Sequence, residues 1–127
     1  MKLNHLDLQV SDVQRSVELF EKLFDFALQS SRTSPAIAIL AGGDGCSLVL
    51  QRRKNETDAY PEGFHFGFLV ADPDAVRDFH ARAKAYGLDV SEVIENGRGV
   101  LVYGRTWDGL LLEVSWHRGA AARGQSA

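Results

Sequence analysis

The stretch LNHLDLQV at residues 3–10 is answered by GFHFGFLV at residues 63–70. An offset of 60 carries His5 onto His65, Val10 onto Val70 and Asp12 onto Asp72. A second offset, of 64, carries Asp44 and Gly45 onto Asp108 and Gly109, and Val49 onto Glu113. Each half reads as strand, helix, then three strands. Neither half buries both its sheet and its helix face alone, so the repeat confines the chain to architectures in which two such modules pair.

The pattern within each half supports this. Leu3, His5, Asp7 and Gln9 alternate with Asn4, Leu6, Leu8 and Val10, which is a strand with one buried face. Ser11 and Gln14 form a capping box with Asp12 in the first turn, and Val13, Val17, Phe20 and Phe24 follow at helical spacing. Asp25 stands where that helix stops. Ala27 to Ser31 reads as a short strand, Ser30 to Pro35 as a turn, and Ala36–Leu40 and Cys46–Gln51 as a hairpin closed by residues 42–45. The polar run Arg52–Glu62 reads as the linker. In the second half, Asp72 and Pro73 start a helix that Gly87 ends. Val90–Ile94, Val100–Tyr103 and Leu110–Trp116 read as strands, with a turn at residues 95–99. The residues from Gly119 onward read as a small-residue tail.

At 127 residues, with a hydrophobic share of 45% and a charged share of 24%, the chain fits one globular domain spanning 1–118. Module one covers about residues 1–56 and module two about 60–118. The net charge of −3 argues against nucleic acid, which needs a clustered positive field. No apolar run is long enough to span a bilayer, and the N-terminus lacks a signal peptide's apolar core. The single cysteine, Cys46, allows no internal disulfide, which points to the cytoplasm. It reads as a small hydrophobe on the helix-facing side.

Phe64, Phe66, Phe68 and Val70 share one face of their strand, so His65 falls on the other, between Gly63 and Gly67. His5 repeats it. In the last strand, Leu110, Leu112, Val114 and Trp116 take the apolar face and leave Leu111, Glu113 and Ser115 on the inner one. Any one such group alone is more commonly an ordinary inner-face residue with a hydrogen-bond partner. Two histidines and a carboxylate, two of them related by the repeat, point to a divalent metal site with open positions for water and substrate. Fe(II), Mn(II), Ni(II) and Zn(II) all accept such ligands.

His5 after Leu3 and Asn4, the helix from Ser11 to Phe26, the strand around His65, and Asp108 and Gly109 followed by Leu112, Glu113 and Val114 resemble the vicinal oxygen chelate superfamily. That superfamily includes glyoxalase I, fosfomycin resistance proteins, extradiol dioxygenases and bleomycin-binding proteins. The resemblance covers Leu3 to Trp116. It implies an α+β fold of two βαβββ modules, forming an eight-stranded, cleft-like mixed sheet with a helix on each half, usually in a homodimer. It also implies that His5, His65 and Glu113 occupy metal-ligand positions. The fourth ligand position maps to Val49, which cannot bind metal and argues against glyoxalase I activity.

Tyr103, ten residues before Glu113, matches a substrate-contacting tyrosine of the fosfomycin group. Asp7, however, would repel a phosphonate by roughly 4 kcal/mol at an effective dielectric near 20. Extradiol cleavage calls for a further histidine, and only His80, on a helix surface, and His117, beyond the last strand, remain. Asp7 and Tyr103 are the candidates for proton transfer. Alternatively, Asp7 orients a ligand or meets Arg98 or Arg105. Ser47, Val49, Gln51, Leu111 and Ser115 are candidate substrate contacts, and Arg98, on a flexible turn, either closes over an anion or is solvated. Two functions are open. The first is an enzyme whose metal acts as a Lewis acid on a small oxygenated substrate. The second is a binding protein that sequesters such a molecule.

Overall fold

In the computed structural model, residues 1–29 and 34–119 are described, and they form two compact units divided between Asp58 and Ala59. The first holds β1 (His5–Val10), α1 (Val13–Phe24), β2 (Ala27–Leu28), β3 (Ile37–Ala41) and β4 (Ser47–Arg52). Its strands lie in the order β1-β4-β3-β2, with β1 parallel to β4 and the other pairs antiparallel. The second holds β5 (His65–Leu69), α2 (Pro73–Tyr86), β6 (Asp89–Val90), β7 (Ile94–Asn96), β8 (Gly99–Arg105) and β9 (Leu111–His117). Here the order is β5-β9-β8-β6, and β7 also pairs with β8.

Each sheet buries one face under its own helix. In the first unit α1 packs on β3 and β4, and Leu8, Val10, Leu40, Leu48 and Leu50 are buried together with Val13, Phe20 and Leu23. In the second, α2 packs on β8 and β9, burying Val100, Val102, Leu112 and Val114 with Val76, Phe79 and Ala83. Each fully buried leucine contributes about 1.5–3 kcal/mol of transfer free energy. The opposite faces carry the polar side chains. His5, Asp7 and Gln9 are exposed on β1, as is His65 on β5.

Three local expectations are corrected. Asp12, not Ser11, is the N-cap of α1. Its backbone is extended, and its Oδ1 accepts from Arg15 N at 3.0 Å. Both residues are good caps, so composition alone did not separate them. The expected strand at Val90–Ile94 is two short pieces, β6 and β7, broken at residues 91–93, which gives the second sheet five strands rather than four. At the break, Ser91 N donates to Tyr103 O at 2.8 Å, while Ser91 Oγ accepts from Tyr103 N at 3.0 Å. The hydroxyl thus takes a bond that a regular ladder assigns to a carbonyl. Cys46 follows the β3–β4 turn and is half-exposed rather than buried.

The other signals are met. Asp25 caps α1 in the left-handed region (φ 59°), Asp72 Oδ1 caps α2 through Ala75 N at 2.9 Å, and Gly87 ends α2 at φ 94°. The strand expected at Ala27–Ser31 is seen at Ala27–Leu28, and residues 30–33 of that strand and turn lie outside the described residues, as does the tail from 120.

Candidate functional site

β5 and β9 run parallel, with Gly67 opposite Glu113, and β8 sets Tyr103 opposite Glu113 on the other side. This rung exists because position 67 carries no side chain. A Cβ there would overlap the Glu113 backbone carbonyl and lie 2.9 Å from the Glu113 Cβ. His65 sits one rung away, opposite Leu111.

His65 Nδ1 lies 2.9 Å from Gly63 O. A carbonyl only accepts, so Nδ1 carries the proton and Nε2 keeps its lone pair in the neutral ring. Nε2 then lies 3.7 Å from Glu113 Oε1, beyond hydrogen-bond length. Two donor atoms, each about 2.1 Å from a shared cation, stand about 3.0–3.6 Å apart for bond angles of roughly 90–120°, and about 3.7 Å at an angle of about 124°. The pair therefore fits two ligands of one divalent ion, with the backbone carbonyl fixing the imidazole as an outer partner does in metal sites. Among the described residues, no group of three or more His, Cys, Asp and Glu is gathered around one point.

The Tyr103 ring meets His65 edge-on, with centroids 6.1 Å apart and planes at 84°. Burial raises the pKa of its phenol above the ordinary value. Glu113 adds to this as hydrogen-bond acceptor and as charge, while Arg98 pulls the other way. Tyr103 therefore holds its proton as a donor. Elsewhere in this unit Tyr60 stacks on Phe64 at 5.8 Å, and its phenol is pushed up to about 12 by burial and then by Asp108.

Leu111 and Ser115 share the Glu113 face, Leu111 half-buried and Ser115 fully so. His117 closes β9 on that face, with Nε2 3.4 Å from Ser115 Oγ, so it lies within the strand rather than beyond it. The Arg98 turn carries three hydrogen bonds at its backbone. Asn96 Oδ1 accepts from Arg98 N at 2.9 Å and from Gly99 N at 3.3 Å, and Arg118 N donates to Arg98 O.

In the first unit, β1 and β4 place His5 opposite Ser47, Asp7 opposite Val49 and Gln9 opposite Gln51. Within the first unit Asp7 is met by two glutamine amides. Its Oδ2 accepts from Gln51 Nε2 at 2.6 Å and its Oδ1 from Gln9 Nε2 at 3.2 Å. Gln9 is the partner the sequence reading left out, although its spacing of two from Asp7 puts it on the same face. The Gly63 carbonyl and Ser91 hydroxyl left no sequence signal, since each acts through one backbone bond. A groove of about 360 Å³ lies on the helix side of this unit, lined by Val13, Val17, Glu18, Glu21, Leu28 and Ala38. It is on the sheet face opposite His5 and Asp7, and neither a histidine nor a cysteine lines it.

The family model described as Glyoxalase/Bleomycin resistance protein/Dioxygenase superfamily matches residues 2–114. No curated protein matches the chain in sequence. Among solved structures, a possible glyoxalase from Bacillus cereus is 29% identical, with a TM-score of 0.78 over 91% of this chain and 98% of that one. A glyoxylase/bleomycin resistance protein/dioxygenase domain from Frankia sp. EAN1pec is 22% identical, with a TM-score of 0.80 over 93% of each chain. A mutant of the fosfomycin resistance protein FosX from Listeria monocytogenes, complexed with Mn(II) and 1S,2S-dihydroxypropylphosphonic acid, is 19% identical, with a TM-score of 0.73 over 90% of this chain and 88% of that one.

Proposed function

The chain belongs to the glyoxalase/bleomycin resistance/dioxygenase superfamily, and we propose that within it the protein is a divalent-metal-dependent enzyme acting on a small oxygenated organic molecule. His65 and Glu113 hold the cation, and His5, from the first unit of this chain or of a second copy, is the third ligand. One observation carries the reading. His65 Nε2 and Glu113 Oε1 stand 3.7 Å apart, while Nδ1 is already engaged by Gly63 O. When bound, the cation supplies Lewis-acid chemistry, withdrawing electron density from substrate oxygens. Mn(II) is the first ion to test, given the Mn(II) complex of FosX, with Fe(II), Ni(II) and Zn(II) next.

The chain's own residues supply the rest. Tyr103 keeps a proton at its phenol oxygen and gives it, or a hydrogen bond, to charge developing on the substrate. Leu111 and Val49 offer apolar contact, while Ser47 and Gln51 offer hydrogen bonds to orient the molecule, and the buried Ser115 bears on the site only through His117. Arg98, on its hydrogen-bonded turn, lends positive charge on the Tyr103 side. A cytoplasmic homodimer is part of this proposal.

A second reading, a binding protein that holds its ligand without turning it over, is favoured by the apolar Val49 on the rung opposite Asp7. Metal analysis of protein purified without chelators separates the two. The enzyme reading expects about one divalent ion per chain in the wild type and none in His5→Ala. A wild type that stays empty and also ignores added Mn(II), Fe(II), Ni(II) and Zn(II) favours sequestration.

A further inference from the structure

We propose that Asp7 is a specificity-determining residue, selecting substrates that carry a positive charge or strong hydrogen-bond donor next to their chelating oxygens. The inference rests on the reading above in one respect, that His5 is a metal ligand. The rest comes from the first unit alone.

Asp7 follows His5 by two residues on the same face of β1, roughly 6.6 Å along the strand. Its two oxygens accept from different amides, Gln51 across the β1–β4 ladder and Gln9 on its own strand. Each carboxylate oxygen has room for about two hydrogen bonds, so the clamp fixes the group's orientation and leaves acceptor capacity on both oxygens. The amides are neutral. Among the described residues of the first unit, no lysine, arginine or histidine forms an ion pair with Asp7.

Its rung is otherwise apolar. Val49 stands beside Asp7, Ile39 stands beside Val49, and Ile37 lies on the next rung beside Gln51. Ile37 and Ile39 are 42% and 39% exposed. A single oriented carboxylate on an apolar floor attracts an ammonium carried on an aliphatic or aromatic body. It disfavours a carboxylate or phosphonate tail reaching the same place, because the two like charges repel at close range while the cation already binds the chelating oxygens. A role limited to stapling β1 to β4 makes no such discrimination.

The test uses the full chain loaded with Mn(II) and three catechols with the same chelating oxygens but different tails: 4-(2-aminoethyl)catechol, 4-ethylcatechol and 3-(3,4-dihydroxyphenyl)propionate. Affinities are measured by calorimetry. The expected order is ammonium, neutral, carboxylate, with about tenfold between the first and last. In Asp7→Asn that ratio falls to about twofold or less. In the wild type it also falls as salt rises from about 0.05 to 0.5 M, a readout that needs no variant to fold. A ratio near one in the wild type, a preference for the carboxylate, or a ratio unchanged in a folded Asp7→Asn overturns the inference and leaves the metal reading standing. If none of the three catechols binds the Mn(II)-loaded chain, this inference falls, while the metal reading stands or falls on the Mn(II) uptake itself.

Discussion

β1, β4 and β3 of the first unit and β5, β9 and β8 of the second share one pattern, a parallel pair followed by an antiparallel one. The 60- and 64-residue offsets superpose their central rungs. One reads Asp7, Val49, Ile39; the other reads Gly67, Glu113, Tyr103. Each rung holds one carboxylate, but on different strands. In the second unit, bare Gly67 lets the backbone come in against Glu113, and a phenol replaces Ile39 to hold the carboxylate, with His65 one rung away. In the first, the carboxylate moves to β1, an apolar pair fills the other two places, and two amides clamp it. On this shared scaffold three differences on one rung separate a face where a carboxylate stands beside an imidazole and a phenol from a face where a carboxylate is clamped by two amides.

The largest expected effect tests whether position 67 is special. Gly67→Ala places a methyl group into the Glu113 carbonyl and should cost about 3 kcal/mol, whereas Asp7→Ala at the equivalent position should cost no more than about 1 kcal/mol. Urea unfolding of the two variants measures the contrast, and equal losses would break it. Next comes Tyr103→Phe, which removes the proton that faces Glu113. Mn(II) affinity should fall about tenfold, the loss expected when an outer partner of a ligand is removed. Ile39→Val, the same rung in the first unit, should leave that affinity unchanged.

The units should agree at their helix caps. Asp12→Ala and Asp72→Ala each remove one side-chain bond to a first-turn amide, and each should lower stability by about 1 kcal/mol. A large inequality between them would show that the modules differ in more than their polar faces. The remaining contrast belongs to the second unit alone and shows only at high pH. The folded state holds the proton of Tyr60 up to about 12, while the unfolded phenol releases it near 10. The stabilisation is therefore complete below pH 10 and is lost as pH rises from about 10 to about 12. Phenolate absorbance followed against pH, with Tyr60→Phe as reference, reads this directly.

Much of this was legible before any coordinates. The repeat placed His5 and His65 on corresponding strands, and Asp25, Asp72 and Gly87 marked helix ends through conformations that few other residues take up cheaply. Alternation alone put Glu113 on the face away from α2. The missing parts were those decided by long-range register or by a single backbone bond. Gln51 finds Asp7 across 44 residues of chain because β4 pairs with β1 at one register, and nothing local to either residue specifies it. Ser91 breaks an edge strand by lending its hydroxyl to Tyr103, and a five-residue window rich in Val and Ile still reads as a strand. The proton on His65 Nδ1 is set by Gly63 O, a group every residue has.

The claim that His65 and Glu113 together hold a divalent cation is most directly tested by Mn(II) titration of the wild type and of Glu113→Gln, followed by calorimetry and by the paramagnetic resonance of free Mn(II). The wild type should take up about one ion per chain, and Glu113→Gln should bind at least about 100-fold more weakly while unfolding at the same urea concentration. Wild-type protein that leaves Mn(II) free, or a Glu113→Gln variant that binds it as tightly as the wild type, would contradict the account.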